Sequence, residues 1–269
     1  MVLLAILFVV TSVLYSSVGF GGGSTYLALL LIWSVPYFIF PVIALFCNII
    51  VVSGNCFNYI RAGNLNFKLL IPYLIGSIPL AYIGGSLPIE KKLFEILLFL
   101  VLAIAGTLLL LNFRSYDDKE SSYRKIPVPI SILIGGTLGF ISGVVGIGGG
   151  IFLSPILFLI RAGKPKYIVT AASLFILINS ISGIIGQLTK NDVLAEVSNY
   201  WYLLAGVLIG GQIGNYFNLK IFPTRILAVV TACLIIFVAV RIGFSFFKEF
   251  LFDIFQCKIY KCITSIRWS

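Results

Sequence analysis

Residues 1–33 read MVLLAILFVVTSVLYSSVGFGGGSTYLALLLIW, an apolar run that a glycine cluster interrupts near its centre. The first charged side chain of the protein is Arg61. Because one membrane-crossing helix needs roughly 20 apolar residues, the stretch before Arg61 has room for two crossings. A water-soluble domain could not keep so long an uncharged stretch away from solvent.

The rest of the chain is equally poor in charge. Of its 269 residues, 60% are hydrophobic and 10% are charged, whereas soluble domains carry roughly 25% charged residues. Lipid offers no hydrogen-bond partners to the backbone and the alternation of a β-barrel is absent, so helix is the state expected. The sequence predicts an all-α, polytopic integral membrane bundle. Its eight apolar segments are residues 2–33, 36–60, 69–87, 93–113, 127–160, 167–189, 199–219 and 225–246.

The two halves of the chain share a pattern of small residues, which predicts two homologous four-segment repeats. We expect a first repeat at residues 1–113, a polar connecting loop at 114–126, a second repeat at 127–247 and an amphipathic tail at 248–269 that lies on the membrane surface. The matches are residues 19–23 with 146–150, Pro36 with Pro165, Ser53-Gly54 with Ser182-Gly183, and Gly76 and Gly84 with Gly206 and Gly214.

The first segment of each half is too long for a straight span. About 32 residues make a helix of roughly 48 Å, against a hydrocarbon core of about 30 Å. We therefore expect each segment to break at its glycine cluster, either as a kinked helix or as a re-entrant hairpin. The hairpin gathers most loop lysines and arginines on one side, as is typical of cytoplasmic loops, and would make the repeats inverted.

The charges and the reactive side chains exclude several classes of function. The net charge of +10 resides largely in short loops such as Lys91-Lys92 and Arg124-Lys125, which indicates a membrane rather than nucleic acid. Histidine is absent, and no metal cluster or catalytic set can be assembled. We expect no enzyme and no cofactor. All nine carboxylates lie in loops, the tail or an early helical turn, so a midplane proton carrier is not expected.

The glycine clusters predict an anion site. Glycine admits positive φ and removes the side chain that would block a ligand, so that successive N–H groups can point at one anion. If helices begin at Gly23-Ser24 and at Gly150-Ile151, their N-termini add positive dipole ends at membrane depth. The alternative is that the glycines permit close helix packing.

Amides at helical spacing follow each cluster. Asn48 and Asn55 lie seven residues apart, and Asn179, Gly183 and Gln187 step by four. Such side chains face the bundle interior, where they either hold helices together or line an anion path. The predicted binding set is Gly21, Gly22, Gly23, Ser24, Asn55, Gly148, Gly149, Gly150, Asn179 and Gln187.

The motif SVGFGGG at residues 17–23, its repeat GVVGIGGG at residues 143–150 and the duplicated layout resemble the TauE/SafE family of sulfite exporters. The resemblance implies a permease that moves small sulfur-containing anions, such as sulfite or organosulfonates, across a bacterial inner membrane. It does not fix the anion, the direction, the coupling ion or the oligomeric state. The alternatives are an anion-selective channel and a non-transporting membrane scaffold or sensor that recruits a partner through its basic tail.

Overall fold

The computed structural model describes residues 2–111, 124, 126–190 and 193–218, together with residues 236, 240, 243 and 244. The predicted eighth segment, the tail and most of the connecting loop lie outside this part of the chain. Within it, all regular structure is helical, as predicted. The helices are α1 Val2–Val18, α2 Gly23–Ile32, α3 Phe40–Arg61 after a 3-10 turn at Tyr37–Ile39, α4 Phe67–Ser86, α5 Lys91–Leu111, α6 Val128–Val145, α7 Gly150–Ile160, α8 Pro165–Gln187, α9 Val193–Ser198 and α10 Trp201–Asn218.

Four helices in the described part of the chain are long and apolar enough to cross a membrane. They are α3 with its preceding turn, α4, α6 and α8, whereas α1, α2 and α7 are apolar but shorter. The surface is apolar: Leu133 is 71% exposed and Ile209 is 60% exposed. Polar side chains such as Asn48 and Asn179 are instead fully buried. This inverted distribution is that of a multi-pass membrane protein whose outer face meets lipid.

Two parallel helix pairs depend on glycine. Gly135, Gly139 and Gly143 repeat every four residues along α6, and a Cβ at each would collide with the carbonyl oxygens of Tyr73, Ser77 and Ala81 on α4. Along α10, a Cβ on Gly210 or Gly214 would collide in the same way with the carbonyl of Val9 or Val13 on α1, whereas Gly206 is in ordinary contact with the carbonyl of Ala5. Small residues at four-residue spacing allow such close backbone contact in lipid, where apolar burial does not drive association.

The centre of the bundle is formed by α3 and α8, which run antiparallel. Leu45, near the start of α3, packs on Gly183, near the end of α8. At the opposite end of the pair, Tyr59 of α3 and Val169 of α8 both flank Gly19. The two helices therefore carry the residues that border the glycine clusters.

The remaining contacts fix the direction of the other helices. Ser182 of α8 donates a hydrogen bond of 2.6 Å to the carbonyl of Ile78 on α4, and Gly186 lies against Tyr82. These contacts make α4, and with it α6, parallel to α8. On the other side, Gly211 of α10 packs on Val51 of α3, and farther along the same pair Asn58 donates to Asn215 at 2.9 Å. Helices α1, α3 and α10 therefore share the opposite direction.

Candidate functional site

Both predicted glycine clusters interrupt helices; we call residues 19–23 and 146–150 the glycine segments. After α1 ends at Val18, Gly19 has φ 88° and Gly22, the N-cap of α2, has φ 78°. After α6 ends at Val145, Gly146, Gly148 and Gly149 have φ values of 88°, 84° and 74°, and Gly149 caps α7. L side chains rarely adopt such angles. Helices α2 and α7 begin at Gly23 and Gly150, which is the condition on which the predicted anion site depends.

The helix starts present backbone N–H groups without acceptors. The first N–H groups that bond back in α2 are those of Thr25 and Tyr26, both to the carbonyl of Gly22. In the described part of the chain, no acceptor takes the N–H groups of Gly21, Gly22, Gly23 or Ser24. All four residues are buried. Buried N–H groups are rarely left unpaired, and here they coincide with the positive end of a helix dipole.

The second glycine segment has the same character. Phe152 and Leu153 are bonded to the carbonyl of Gly149, and Gly150 to that of Gly148. Among the described residues, the N–H groups of Gly148, Gly149 and Ile151 have no acceptor. These residues are also buried. Two helix N-termini thus offer unpaired donors inside the bundle.

Asn48, in the middle of α3, brings the two segments together. Its Nδ2 donates a hydrogen bond of 3.1 Å to the carbonyl of Ile147. The same nitrogen lies 2.8 Å from the position of a Cβ on Gly23 and 2.9 Å from that of a Cβ on Gly148. The Oδ1 of Asn48 and the Oγ of Ser180, 3.2 Å from the Gly148 position, are buried and have no partner among the described residues.

The glycines also serve close packing, the alternative weighed from the sequence. A Cβ on Gly146 would overlap Pro41, and one on Gly150 would overlap Ala172 and Ile176. A Cβ on Gly22 would lie 3.2 Å from the Tyr15 ring. The segments are therefore tightly enclosed, and neither cavity described for this structure is lined by their residues.

The other predicted site residues have separate partners. Ser24 is buried, with its Oγ 3.4 Å from the Tyr15 hydroxyl, and Asn179 donates to the Phe175 carbonyl of its own helix. Asn55 donates to Ser16 at 3.5 Å, and Gln187 donates to the Gly143 carbonyl at 2.9 Å. The structure brings Gly21, Gly23 and Gly148 against Asn48 but gives Asn55 and Gln187 partners on α1 and α6.

Three polar residues beside the segments were absent from the predicted binding set. They are Asn48, Ser180 and Ser173, whose Oγ donates to the carbonyl of Gly19. Asn48 carries a sequence signal, its spacing from Asn55, but only the fold shows which of the two amides reaches the glycines. The serines carry no comparable signal, because hydroxyls in apolar helices commonly bond to their own backbone.

A helical membrane bundle in which two buried, interrupted helices meet at the centre has the architecture of a membrane transporter. The comparison with known families makes this specific. The family model described as Sulfite exporter TauE/SafE matches residues 3–242. The chain belongs to this family of membrane transporters, which are not enzymes.

Individual relatives agree with this assignment. The probable membrane transporter protein y4hK of Sinorhizobium fredii is 25% identical over 236 residues, covering 86% of this chain and 94% of the relative. The probable membrane transporter protein YunE of Bacillus subtilis is 25% identical over 263 residues, with 87% and 94% covered. A probable membrane transporter protein of Methanocaldococcus jannaschii is 27% identical over 257 residues, with 86% and 91% covered. No solved structure matches.

Proposed function

We propose that the protein carries small sulfur-containing anions, such as sulfite or an organosulfonate, across the inner membrane. The anion is held by backbone N–H groups where α2 and α7 begin, those of Gly21 to Ser24 and those of Gly148, Gly149 and Ile151. The single observation that carries this proposal is the convergence of two buried helix N-termini with unpaired donors on one amide, Asn48. An anion can satisfy such donors without a buried lysine or arginine.

We further propose that the halves are inverted repeats. The sequence pairs α3 with α8, and these helices run antiparallel. The packing is also reciprocal: α1 packs on α10 as α6 packs on α4, and α3 packs on α10 as α8 packs on α4. A pseudo-two-fold axis in the membrane plane relates such halves and places the substrate at their interface.

The helix directions also support re-entrant hairpins. Because α1 and α3 are parallel, α2 must return the chain to the side from which α1 entered. The same argument applies to α6, α7 and α8. With both hairpins re-entrant, Arg61, Lys68, Arg161, Lys164 and Lys166 share one side of the membrane, the cytoplasmic one by the positive-inside rule.

The positions of the three carboxylates among the described residues support a proposal for energy coupling. Glu90 lies before α5, Glu95 in its first turns and Glu196 in the short helix α9. None of these three lies on a helix that borders the glycine segments. We propose that the anion moves by uniport or with its own proton, without a carboxylate relay.

Asn48→Asp tests the site directly. The substitution keeps the shape of the side chain but places an acceptor, and when ionised a negative charge, where the anion would bind. We expect sulfite flux in proteoliposomes to fall at least about 100-fold, since facing like charges cost several kcal/mol in a buried site. Valine at Gly22 or Gly149 should also stop transport, but their positive φ makes the loss ambiguous because the fold suffers as well.

The matched control is Asn58→Asp, the same exchange on the same helix at a half-buried position whose partner is Asn215. It should retain most of the flux. Equal losses in both variants, or wild-type flux in Asn48→Asp, would rule out the site. A thermal-shift panel of sulfite, thiosulfate, sulfonates, sulfate and carboxylates on the purified protein identifies the anion. Saturation and countertransport in liposomes distinguish a carrier from a channel.

A further inference from the structure

A cavity of about 630 Å³ opens at the end of the bundle where α4, α6 and α8 all begin. Three basic side chains line it: Lys68 in the first turn of α4, Arg124 before α6, and Lys164, the N-cap of α8. Because the three helices are parallel, their positive dipole ends face the same space as these cations. These three side chains make the lining of the cavity positively charged.

The carboxylates of the described residues do not offset this charge. Glu90, Glu95 and Glu196 lie beyond the C-terminal ends of α4 and α8, at the opposite end of the bundle. The one ion pair found among described residues joins Lys91 and Glu95, again at that far end. The lysines and the arginine of the cavity therefore have no carboxylate partner within the described part of the chain.

A buried tyrosine contributes a neutral hydroxyl to the cavity wall. Tyr73, one turn beyond Lys68 on α4, is 2% exposed and lines the cavity together with Ser131 of α6. Its hydroxyl lies beside that of Ser131 but makes no hydrogen bond of good geometry to a described residue. A buried hydroxyl without a partner is costly, and an acceptor oxygen of a bound molecule would satisfy it.

The walls of this cavity are held by the backbone. The N–H of Arg124 donates to the carbonyl of Arg161 at 3.1 Å, which ties the segment before α6 to the turn between α7 and α8. The side chain of Asn66 caps α4 by accepting from the N–H of Leu69. These hydrogen bonds hold the backbone that carries Arg124 and Lys68 in place.

We propose that this cavity is a second anion site, separate from the glycine segments, that binds a tetrahedral oxyanion of the sulfate or phosphate type. The oxyanion is either a free ion or the headgroup of an anionic lipid, since both present the same oxygens to Lys68, Arg124, Lys164 and the Tyr73 hydroxyl. Several cations and a neutral donor lining one cavity suit a doubly charged, multidentate ligand.

The test compares two double variants of equal charge. Lys68→Gln with Lys164→Gln removes two cations from the cavity, and Lys91→Gln with Lys92→Gln removes two from the opposite end. The full-length protein, delipidated in a neutral detergent, is titrated with sodium sulfate against sodium chloride of the same ionic strength, and its Tm is followed. Short-chain phosphatidylglycerol, with phosphatidylcholine as its control, forms the lipid arm.

We expect sulfate, phosphatidylglycerol or both to raise the Tm of the wild type and of the Lys91/Lys92 variant, and not that of the Lys68/Lys164 variant. Tyr73→Phe should weaken the apparent affinity about tenfold without lowering the Tm of the unliganded protein. A response to sulfate identifies a free anion, and a response confined to phosphatidylglycerol identifies a lipid headgroup.

Several outcomes would overturn the proposal. One is an equal Tm response in both double variants, and another is a response to neither probe. A third is a sulfate response that appears only after Asp117, Asp118 and Glu120, which lie outside the described residues, are neutralised, since the acidic loop would then be the occupant. Asn48→Asp should leave the response intact, so that failure of this site and failure of the transport site are separable.

Discussion

The two parallel helix pairs of the bundle have the same geometry but different chemistry. Between α4 and α6, glycines on both helices bring main chain onto main chain, as at Gly84 against Phe140 and Gly139 against Ser77. Between α1 and α10, the glycines lie on α10 alone, and α1 offers serines such as Ser12 instead. Main-chain contact dominates between α4 and α6, although Ser77 also lies in that interface, whereas between α1 and α10 a serine hydroxyl, that of Ser16, also bonds across the interface to the Gly211 carbonyl.

The polar character of the α1–α10 pair extends to α3. Ser16 donates to the carbonyl of Gly211 at 2.7 Å, Asn55 donates to Ser16 and Asn58 bonds to Asn215. Where Ser16 stands on α1, the proposed repeat places Gly143 on α6. Hydroxyls and amides can exchange partners with one another or with water, but interlocked backbone cannot. We therefore expect α4 and α6 to move as one body and α1 to be the more mobile of the two interrupted helices.

The largest expected difference in stability is between alanine substitutions at two positions that the proposed repeat would match, Gly139 on α6 and Ser12 on α1. Gly139→Ala would push a methyl group into the main chain of Ser77, and overpacking of this kind typically costs about 1–3 kcal/mol. Ser12→Ala removes a hydroxyl that donates a hydrogen bond of 2.8 Å to the carbonyl of Val9 in its own helix. It should cost less than about 1 kcal/mol. The midpoint of thermal unfolding in detergent measures both.

Gly211→Ala serves as the control, because a Cβ there would lie 3.6 Å from Val51, an ordinary contact. It should unfold at nearly the wild-type temperature. If Gly139→Ala were as stable as Gly211→Ala, the tight α4–α6 packing would have little energetic weight, and the contrast between the two pairs would fail.

A smaller difference in stability is expected between Gln187→Leu and Asn58→Leu, at positions on α8 and α3 that the proposed repeat would match. Gln187 donates to the carbonyl of Gly143, one of the last four residues of α6, whose carbonyls lack helical partners. Losing that donor leaves a buried acceptor unsatisfied, at a cost of about 1–3 kcal/mol. Asn58 is half-buried and its loss should cost about 0.5–1.5 kcal/mol.

Unfolding midpoints again provide the measurement, and Asn58→Leu combined with Asn215→Leu completes the comparison. Removing both partners should cost less than the sum of the single losses, since no orphaned amide remains. If Asn58→Leu lowered the unfolding midpoint more than Gln187→Leu, the expected difference between the α4–α6 side and the α1–α10 side of the bundle would be wrong.

The sequence predicted the membrane class, the helical state and a break at each glycine cluster because these depend on local composition. Absence of charge over a span, glycine at positive φ and the onset of an apolar run are all visible within about 20 residues. Which helices pack against each other could not be predicted in this way, because it depends on contacts between distant parts of the chain, such as Gly76 with Ile132. Helix spacing alone does not show which faces will meet.

The candidate site was predicted in part for the same reason. The glycines of both segments could be chosen from the sequence, because a five-residue cluster in an overlong apolar run demands a break. Among the amides, Asn55 was chosen and Asn48 was not, although they lie on the same helix seven residues apart. Asn48 lies beside Gly23 because residues 19–23 pack against the middle of α3. That position depends on the tertiary fold and cannot be read from the local sequence. The binding roles of all these residues stay predictions.

The smallest expected effect on stability concerns Lys190, which follows α8, the helix that packs against α4. Its Nζ donates to Oε1 of Gln187 at 3.0 Å, and burial lowers its pKa to about 8 from 10.5. The unfolded chain therefore binds more protons than the folded protein between about pH 8 and 10.5, so this residue makes stability rise with pH across that window. Relative to Lys190→Met, the wild type should gain thermal stability from pH 7 to 9.5. A difference between the two proteins that does not change with pH would show that Lys190 is solvated like any surface lysine, and that the end of α8 is as open to water as the polar end of α3.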